Sequence, residues 1–111
     1  MPKPELEFSP ADDLGPWVPI PGEPGLYEKI LSSDPEKMCV TRFLKKEPGP
    51  AGTHAIVHDF WEEVYILEGS QWDGDRHYTK GMYACRPPGM KHGPFRTDEG
   101  CINLEFRYVR D

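Results

Sequence analysis

The stretch over residues 52–92 contains all four histidines of the chain, and three of its side chains have types and spacing that suit a metal site. His58 is followed four residues later by Glu62, and His92 lies thirty residues further along the chain. Imidazole nitrogens and carboxylate oxygens suit divalent Fe, Mn, Ni and Zn, and the sequence does not choose among these ions. If the three side chains converge, positions on one bound ion stay open, so it could bind dioxygen, polarise a carbonyl or acidify water.

Convergence of this kind requires strands, because alternate residues of a strand point into the interior of a barrel. Residues 53–58 are predicted to form one such strand, with His54, Ile56 and His58 on one face. Asp73 and Gly74 are predicted to form the two-residue turn of a hairpin. No stretch keeps the apolar period of an amphipathic helix, whereas short β-like runs recur between turn formers. The sequence therefore predicts an all-β sandwich or closed barrel.

The first 25 residues differ in composition from the rest. They contain seven of the 13 prolines, and each proline removes a backbone donor that a helix or central strand needs. Trp17, Val18 and Ile20 form an apolar cluster, which we expect to pack on the barrel or on a second subunit. We predict a proline-rich arm over residues 1–25 and one domain over residues 26–111.

Composition narrows the partners and the compartment. The net charge is −6 and no basic run occurs, which argues against nucleic acid or an anionic membrane as a partner. Three cysteines cannot all pair and show no zinc-ribbon spacing, and we expect Cys85 and Cys101 to be buried. With no apolar leader and no stretch of membrane-spanning length, a soluble cytoplasmic protein is expected.

The glycines and prolines around these residues resemble the two motifs of the cupin superfamily. The second half of the first motif, His, three residues, Glu, six residues and Gly, is matched by His58, Glu62 and Gly69. The second motif is matched without a gap by Gly81, Pro87, Gly89 and His92. The resemblance covers about residues 25–109 and is greatest to small cupins related to the cupin domain of ChrR-type anti-sigma factors. It implies a double-stranded β-helix, or jelly roll, that holds one divalent metal ion.

Two positions depart from the cupin pattern. Ile56 stands where the first motif has its first histidine, and Arg96 stands where the second motif ends in asparagine. His54 could replace the missing ligand through a bulge, His77 is a second candidate, and water or substrate is the third possibility. A bulge would also exchange Glu62 for its neighbour Glu63, although the spacing to Gly69 favours Glu62.

Other side chains are candidates for substrate binding and catalysis. Arg42 either reaches solvent from a strand edge, or anchors a substrate or an ion pair in the pocket. Arg96 continues the alternation from His92 and either binds an anionic substrate or pairs with an acidic residue. Glu105 lies on a predicted face that is either a solvated stripe, the simpler interpretation, or a pocket wall with Glu105 as acid or base. Aromatic candidates for the pocket lining, or for ordinary core, are Phe60, Trp61, Tyr83 and Phe95.

Together, the residues and the resemblance predict a metal-dependent enzyme that acts on a small carbonyl, enol or carboxylate compound. Dioxygenase, isomerase, lyase and cyclase reactions all fit. The alternative is a non-catalytic module that binds a metal or small ligand in a sensory or regulatory role, as the resemblance to ChrR implies. Ile56 also leaves room for a metal-free structural cupin. Because jelly-roll cupins commonly pair through sheet edges, we expect a homodimer with the arm exchanged or draped over the partner.

Overall fold

The computed structural model describes residues 2–51 and 56–110, whose regular structure consists mainly of antiparallel strands joined by turns and loops. Two short 3-10 turns occupy Ala11–Asp13 and Pro35–Lys37. The strands, in chain order, are β1 (Val18–Pro19), β2 (Leu26–Asp34), β3 (Cys39–Lys46), β4 (Gly49–Ala51), β5 (Ile56–Val57), β6 (Trp61–Asp73), β7 (Arg76–Thr79), β8 (Tyr83–Arg86), β9 (Lys91–His92), β10 (Phe95–Thr97) and β11 (Cys101–Tyr108).

Strand β6 joins the two halves of the barrel. Its first half pairs with β11 and β8, and its second half pairs with β7 and β10. The larger sheet follows the order β1-β2-β3-β11-β6-β10-β4, while β5 and β9 form a separate pair. Where β6 passes from one half to the other, Gly69 has φ +76°, and a Cβ there would lie 2.0 Å from the Gly100 carbonyl oxygen. The predicted all-β jelly roll is confirmed.

Three local predictions need comment. Of the predicted strand 53–58, the structure describes residues 56–58, and Ile56–Val57 is a strand there. Residues 52–55, with His54, lie outside the described part of the chain. In the hairpin, Asp73 pairs with Arg76, so the two-residue turn is Gly74-Asp75, one residue later than predicted. Cys101 is buried as expected, but Cys85 is exposed because it lies on the outer face of β8.

The proline-rich segment packs on its own chain. The Trp17 ring stacks on Phe43 at a centroid distance of 6.4 Å, and Lys3 Nζ donates to Thr41 Oγ1 at 2.8 Å. Strand β1 pairs with β2, an edge position that tolerates Pro19. The division of the chain at residue 25 and an exchange of the arm between subunits stay predictions. In the described part of the chain, no helix is long and apolar enough to cross a membrane.

The interior of the barrel is unusually polar. Its buried apolar side chains are few, namely Leu44, Ala51, Val64, Ile66, Phe95 and Cys101. Buried charged or basic side chains include Arg42, Lys46, Glu62, Arg86, His92 and Glu105. Burial of a charge costs free energy unless the charge is paired and hydrogen-bonded. Buried charged side chains thus occupy positions that apolar side chains fill in most small domains. Such a cluster marks a candidate functional site.

Candidate functional site

His58, Glu62 and His92 come together inside the barrel. One potential ligand atom from each lies within 4.8 Å of the others. Glu62 points inward from the start of β6, and His92 lies on β9, directly paired with Ile56 of β5. His58 follows β5, and its carbonyl accepts a hydrogen bond of 2.9 Å from the Gly89 amide. That bond joins the turn before His92 to the corner before Glu62, so the segments that carry the two motifs lie next to each other.

The donor set fits a divalent metal ion. Both ring nitrogens of His92 are buried without a hydrogen-bond partner among the described residues, although buried polar atoms are nearly always paired. Burial, and next Arg86, lower the pKa of His92 to about 4, and burial also lowers the pKa of His58. Both imidazoles are therefore neutral at pH 7, which is the form that binds metals. Two neutral imidazoles and one carboxylate suit first-row divalent ions.

Two arginines hold the carboxylate of Glu62. Arg86 Nη1 donates to Oε1 at 3.1 Å and Arg107 Nε donates to Oε2 at 2.9 Å. Burial works to raise the pKa of Glu62, but Arg107 and Arg86 outweigh it and the net shift is downward. The carboxylate is thus ionised and fixed in orientation. Because a carboxylate has about four lone-pair sites, two arginine bonds still leave sites for an ion, on the oxygen that lies 4.0 Å from His58 Nε2.

A chain of alternating charges leads away from Glu62 across the sheet. Arg107 Nε lies 3.7 Å from Glu105 Oε1, and Arg42 Nε donates to the same oxygen at 2.9 Å. Arg42 in turn donates to Glu28 through Nη1. Glu105 and Arg42 are direct partners in the register of β11 and β3. Arg42 is thus paired with carboxylates in the interior, and Glu105 is buried rather than part of a solvated stripe.

The three candidate ligands border a cavity of about 340 Å³. Ile20, Glu23 and Leu26 contribute to its wall, so the segment that precedes the barrel helps to enclose it. Its charged wall residues are the cations Arg42, Lys46, Arg86 and Arg107 and the carboxylates Glu23, Glu62 and Glu105. With His58 and His92 neutral, the cations exceed the carboxylates among the described residues of the wall. The cavity therefore favours an anionic or electron-rich small molecule.

Four of the other predicted site residues lie at or beside this cavity. Arg42, Phe95 and Glu105 line it together with the three candidate ligands. Phe60 adjoins it, because its ring stacks on His58 at 4.5 Å and the Arg107 guanidinium lies 5.0 Å from its centroid.

Three predicted site residues lie away from the cavity beside His58, Glu62 and His92, which we call the metal-site cavity. They are Arg96, Trp61 and Tyr83. Arg96 is exposed and donates to Asp98 at 3.2 Å, because Gly93-Pro94 interrupts the strand after His92 and Phe95 takes the inward place instead. Trp61 stacks on Tyr108, with 6.4 Å between the ring centroids. Tyr83 is exposed, donates to Glu63 on the outer face of the sheet, and borders a different cavity.

The structure bears on only one of the two histidines that are candidates for a fourth ligand. His77 is exposed and stacks on Trp72 at 4.4 Å, and the three-residue cluster of described side chains does not include it. His54 lies outside the described residues, so its candidacy stays a prediction. Water or substrate in the remaining positions is compatible with the cavity.

Sequence reasoning missed Lys46 and Arg86 as site residues, whereas Arg107 shares the predicted face of Glu105. Arg86 sits directly opposite Glu62 in the register of β6 and β8. It also borders a second cavity of about 420 Å³ whose wall includes Val64, Ile66 and Met82. One signal was available: inward-facing Arg42 and Lys46 are four residues apart on β3, an even spacing that shares a face.

Solved structures with the same fold include enzymes and a regulator. The polyketide cyclase RemF from Streptomyces resistomycificus matches with 21% identity and a TM-score of 0.77, over 96% of this chain and 81% of that one. An acetylacetone dioxygenase from Acinetobacter johnsonii matches with 17% identity and a TM-score of 0.75, over 96% and 74%. The anti-sigma factor ChrR of Rhodobacter sphaeroides, solved in complex with SigE, matches with 21% identity and a TM-score of 0.60 over 81% of this chain.

At these identities the likeness shows the fold alone. This chain spans 46% of the ChrR structure, so less than half of that protein is represented here. A comparison with curated protein sequences found no match. The family model of the ChrR cupin-like domain matches residues 10–107, and it begins within the segment predicted as an arm. The chain therefore belongs to the ChrR cupin-like domain family.

Proposed function

We propose that the protein is a metal-dependent cupin enzyme that acts on a small carbonyl, enol or carboxylate compound. One observation carries the proposal: a single cavity combines His58, Glu62 and the unpartnered nitrogens of His92 with an excess of cationic side chains. This combination would be unfavourable in a purely structural core, because each buried charge costs free energy.

The residues divide into those that would hold the ion and those that would handle the substrate. His58, Glu62 and His92 would be the ligands, with His54 as a further candidate. When bound, the ion would polarise an oxygen of the substrate as a Lewis acid. Arg86 and Arg107 keep Glu62 ionised and aimed at the site, as outer hydrogen-bond partners of metal ligands do. The excess positive charge attracts a substrate that is anionic or becomes so on enolisation.

Glu105 is the candidate base. Its hydrogen bonds among the described residues all end on Oε1, which accepts from Arg42 and lies near Arg107. The second oxygen is left for a substrate proton, and the carboxylate is 3% exposed, so bulk water does not compete for it. A fixed carboxylate within reach of an acidic C–H is the arrangement that general-base catalysis needs.

The proposal can be tested with acetylacetone as a probe. Metal-loaded protein in D2O should exchange the central C–H of the diketone faster than buffer does, as followed by proton NMR, and oxygen uptake in the same sample separates a dioxygenase from an isomerase or cyclase. Glu105→Gln should slow the exchange at least tenfold, as loss of a general base does, whereas Glu99→Gln on the surface should not. Equal exchange by wild type, Glu105→Gln and buffer across a panel of diketones, together with no oxygen uptake on diketones or catechols, would refute the enzyme.

The alternative is a non-catalytic module that binds a metal or small ligand, with a sensory or regulatory role. The structural likeness to ChrR over 81% of this chain favours it. A module of this kind would bind a probe in the same cavity with saturation and without turnover. Binding by calorimetry, with no change of the probe over a day, would support this alternative over the enzyme.

We propose further that the chain forms a homodimer through the outer face of β8, β6 and β11. That face exposes Tyr65, Tyr83 and Phe106 side by side, with exposed fractions of 42%, 59% and 40%. Strand β8 pairs with β6 alone among the described strands, so its other edge is free for a partner.

A further inference from the structure

Lys46 differs from the other cations of the metal-site cavity. Arg42, Arg86 and Arg107 each form an ion pair with a carboxylate. The Lys46 ammonium forms none among the described residues, although its side chain is 4% exposed. Its hydrogen bond goes instead to the neutral amide of Gln71, at 2.6 Å from Oε1. Lys46 is therefore a buried cation without a counterion in a cavity that can hold a ligand.

The neighbours of Lys46 do not remove this imbalance. An ammonium has three donors, and Gln71 takes one while also accepting from Asn103 Nδ2 at 3.2 Å. Burial lowers the pKa of Lys46, and Glu105 and Cys101, which act to raise it, do not outweigh the burial. A buried lysine with only a structural role would be replaced at lower cost by an apolar side chain of similar shape. The missing component is an anion.

Phe95 connects Lys46 to the metal site. The Lys46 ammonium lies 4.2 Å from the centroid of the Phe95 ring, and the His92 ring packs against the same phenyl group at 5.6 Å. All three residues border the one cavity of about 340 Å³. A ligand that spans from Lys46 to His92 would therefore lay its carbon chain along an apolar aromatic wall.

We propose that Lys46 anchors a carboxylate of the ligand, and that the ligand is a small dicarboxylate or oxo acid whose second oxygen-bearing end faces His58, Glu62 and His92. The second half of the statement rests on the proposed metal site, and the first half does not. A carboxylate matches the single charge of Lys46. A dianionic phosphate would need a second unpaired cation, and the three arginines of the cavity already have carboxylate partners.

Glutarate is a suitable probe, and its neutral diamide is the control for shape. Isothermal titration calorimetry at pH 7, with metal-loaded and with metal-stripped protein, should show that wild type prefers glutarate. Lys46→Met keeps the length and removes the charge, and it should weaken glutarate binding about tenfold or more, as loss of a charge-assisted hydrogen bond does. Lys80→Met, at an exposed turn, makes the same change in net charge and should leave the affinity unchanged.

A measurement on wild type alone guards against a variant that fails to fold. The side-chain NMR signal of Lys46, in protein labelled with carbon-13 lysine, should shift as glutarate is added and should not shift with the diamide. Failure of wild type to bind glutarate, equal binding by Lys46→Met, or an unmoved Lys46 signal would each overturn the anchor. Lys46-dependent binding in a protein that takes up no metal would uphold the anchor and refute the metal-dependent enzyme.

Discussion

Acidification should destabilise the metal-free protein through His92. The pKa of this residue is about 4 in the folded chain, against 6.5 as the ordinary value expected after unfolding. Above pH 6.5 the histidine is neutral in both states and has no effect on the balance, but as the pH falls from 6.5 toward 4 the unfolded chain binds a proton that the folded chain does not, so the folded state loses stability. At about 1.36 kcal/mol per pH unit, the difference predicts that His92 alone lowers the free energy of unfolding by about 3 kcal/mol between pH 7 and pH 4.

Urea denaturation of EDTA-treated protein at pH 7 and pH 4 measures this loss. Other groups titrate over the same range, so the quantity to compare is the loss in wild type minus the loss in His92→Gln. His77→Gln is the matched control, since His77 is an exposed histidine stacked on Trp72. We expect the loss to shrink by 2 to 3 kcal/mol in His92→Gln only. If His92→Gln and wild type lose the same stability, the account of a buried, neutral His92 is wrong.

Three further predictions follow from the ion pairs and the outer face. Replacing Glu105 with Leu leaves Arg42 and Arg107 without their shared counterion and should lower the free energy of unfolding by about 3 to 5 kcal/mol, as measured by urea denaturation; a loss below 1 kcal/mol would contradict a continuous buried chain of charges. Arg96→Ala should change the metal content and the glutarate affinity by nothing measurable, because Arg96 is exposed and paired with Asp98; an altered affinity would return it to the site. Light scattering at micromolar concentration should give a dimer for wild type and a monomer for Tyr83→Glu, whereas a wild-type monomer would refute the pairing face.

The sequence predicted the candidate ligands better than it predicted their surroundings. His58, Glu62 and His92 were found because the spacing of glycines and prolines in a cupin is carried by local turns. Those turns fix the strand ends on which the ligands sit. The prediction that Arg96 points inward was wrong for a local reason as well. It assumes that the two-residue alternation of a strand continues from His92 to Arg96, but the strand is interrupted at Gly93-Pro94.

The charged interior could not be predicted in the same way. Alternation shows that Glu105 and Arg107 share a face, but it does not show which face is inside, and charged residues are normally outside. The pairing of Glu62 with Arg86 depends on the register between β6 and β8, which no local pattern encodes. Lys46 was missed because it lies beside the turn formers Pro48 and Gly49 in a predicted loop, where a lysine is ordinarily solvated.

Metal content of the purified protein tests the central claim most directly. Wild type, His92→Ala and His77→Ala would be loaded separately with Fe, Mn, Ni and Zn, freed of excess ion by gel filtration and analysed by inductively coupled plasma mass spectrometry. The account predicts about one ion per chain in wild type and in His77→Ala for at least one of these metals, with little in His92→Ala. It is contradicted if wild type retains no more of any metal than His92→Ala does.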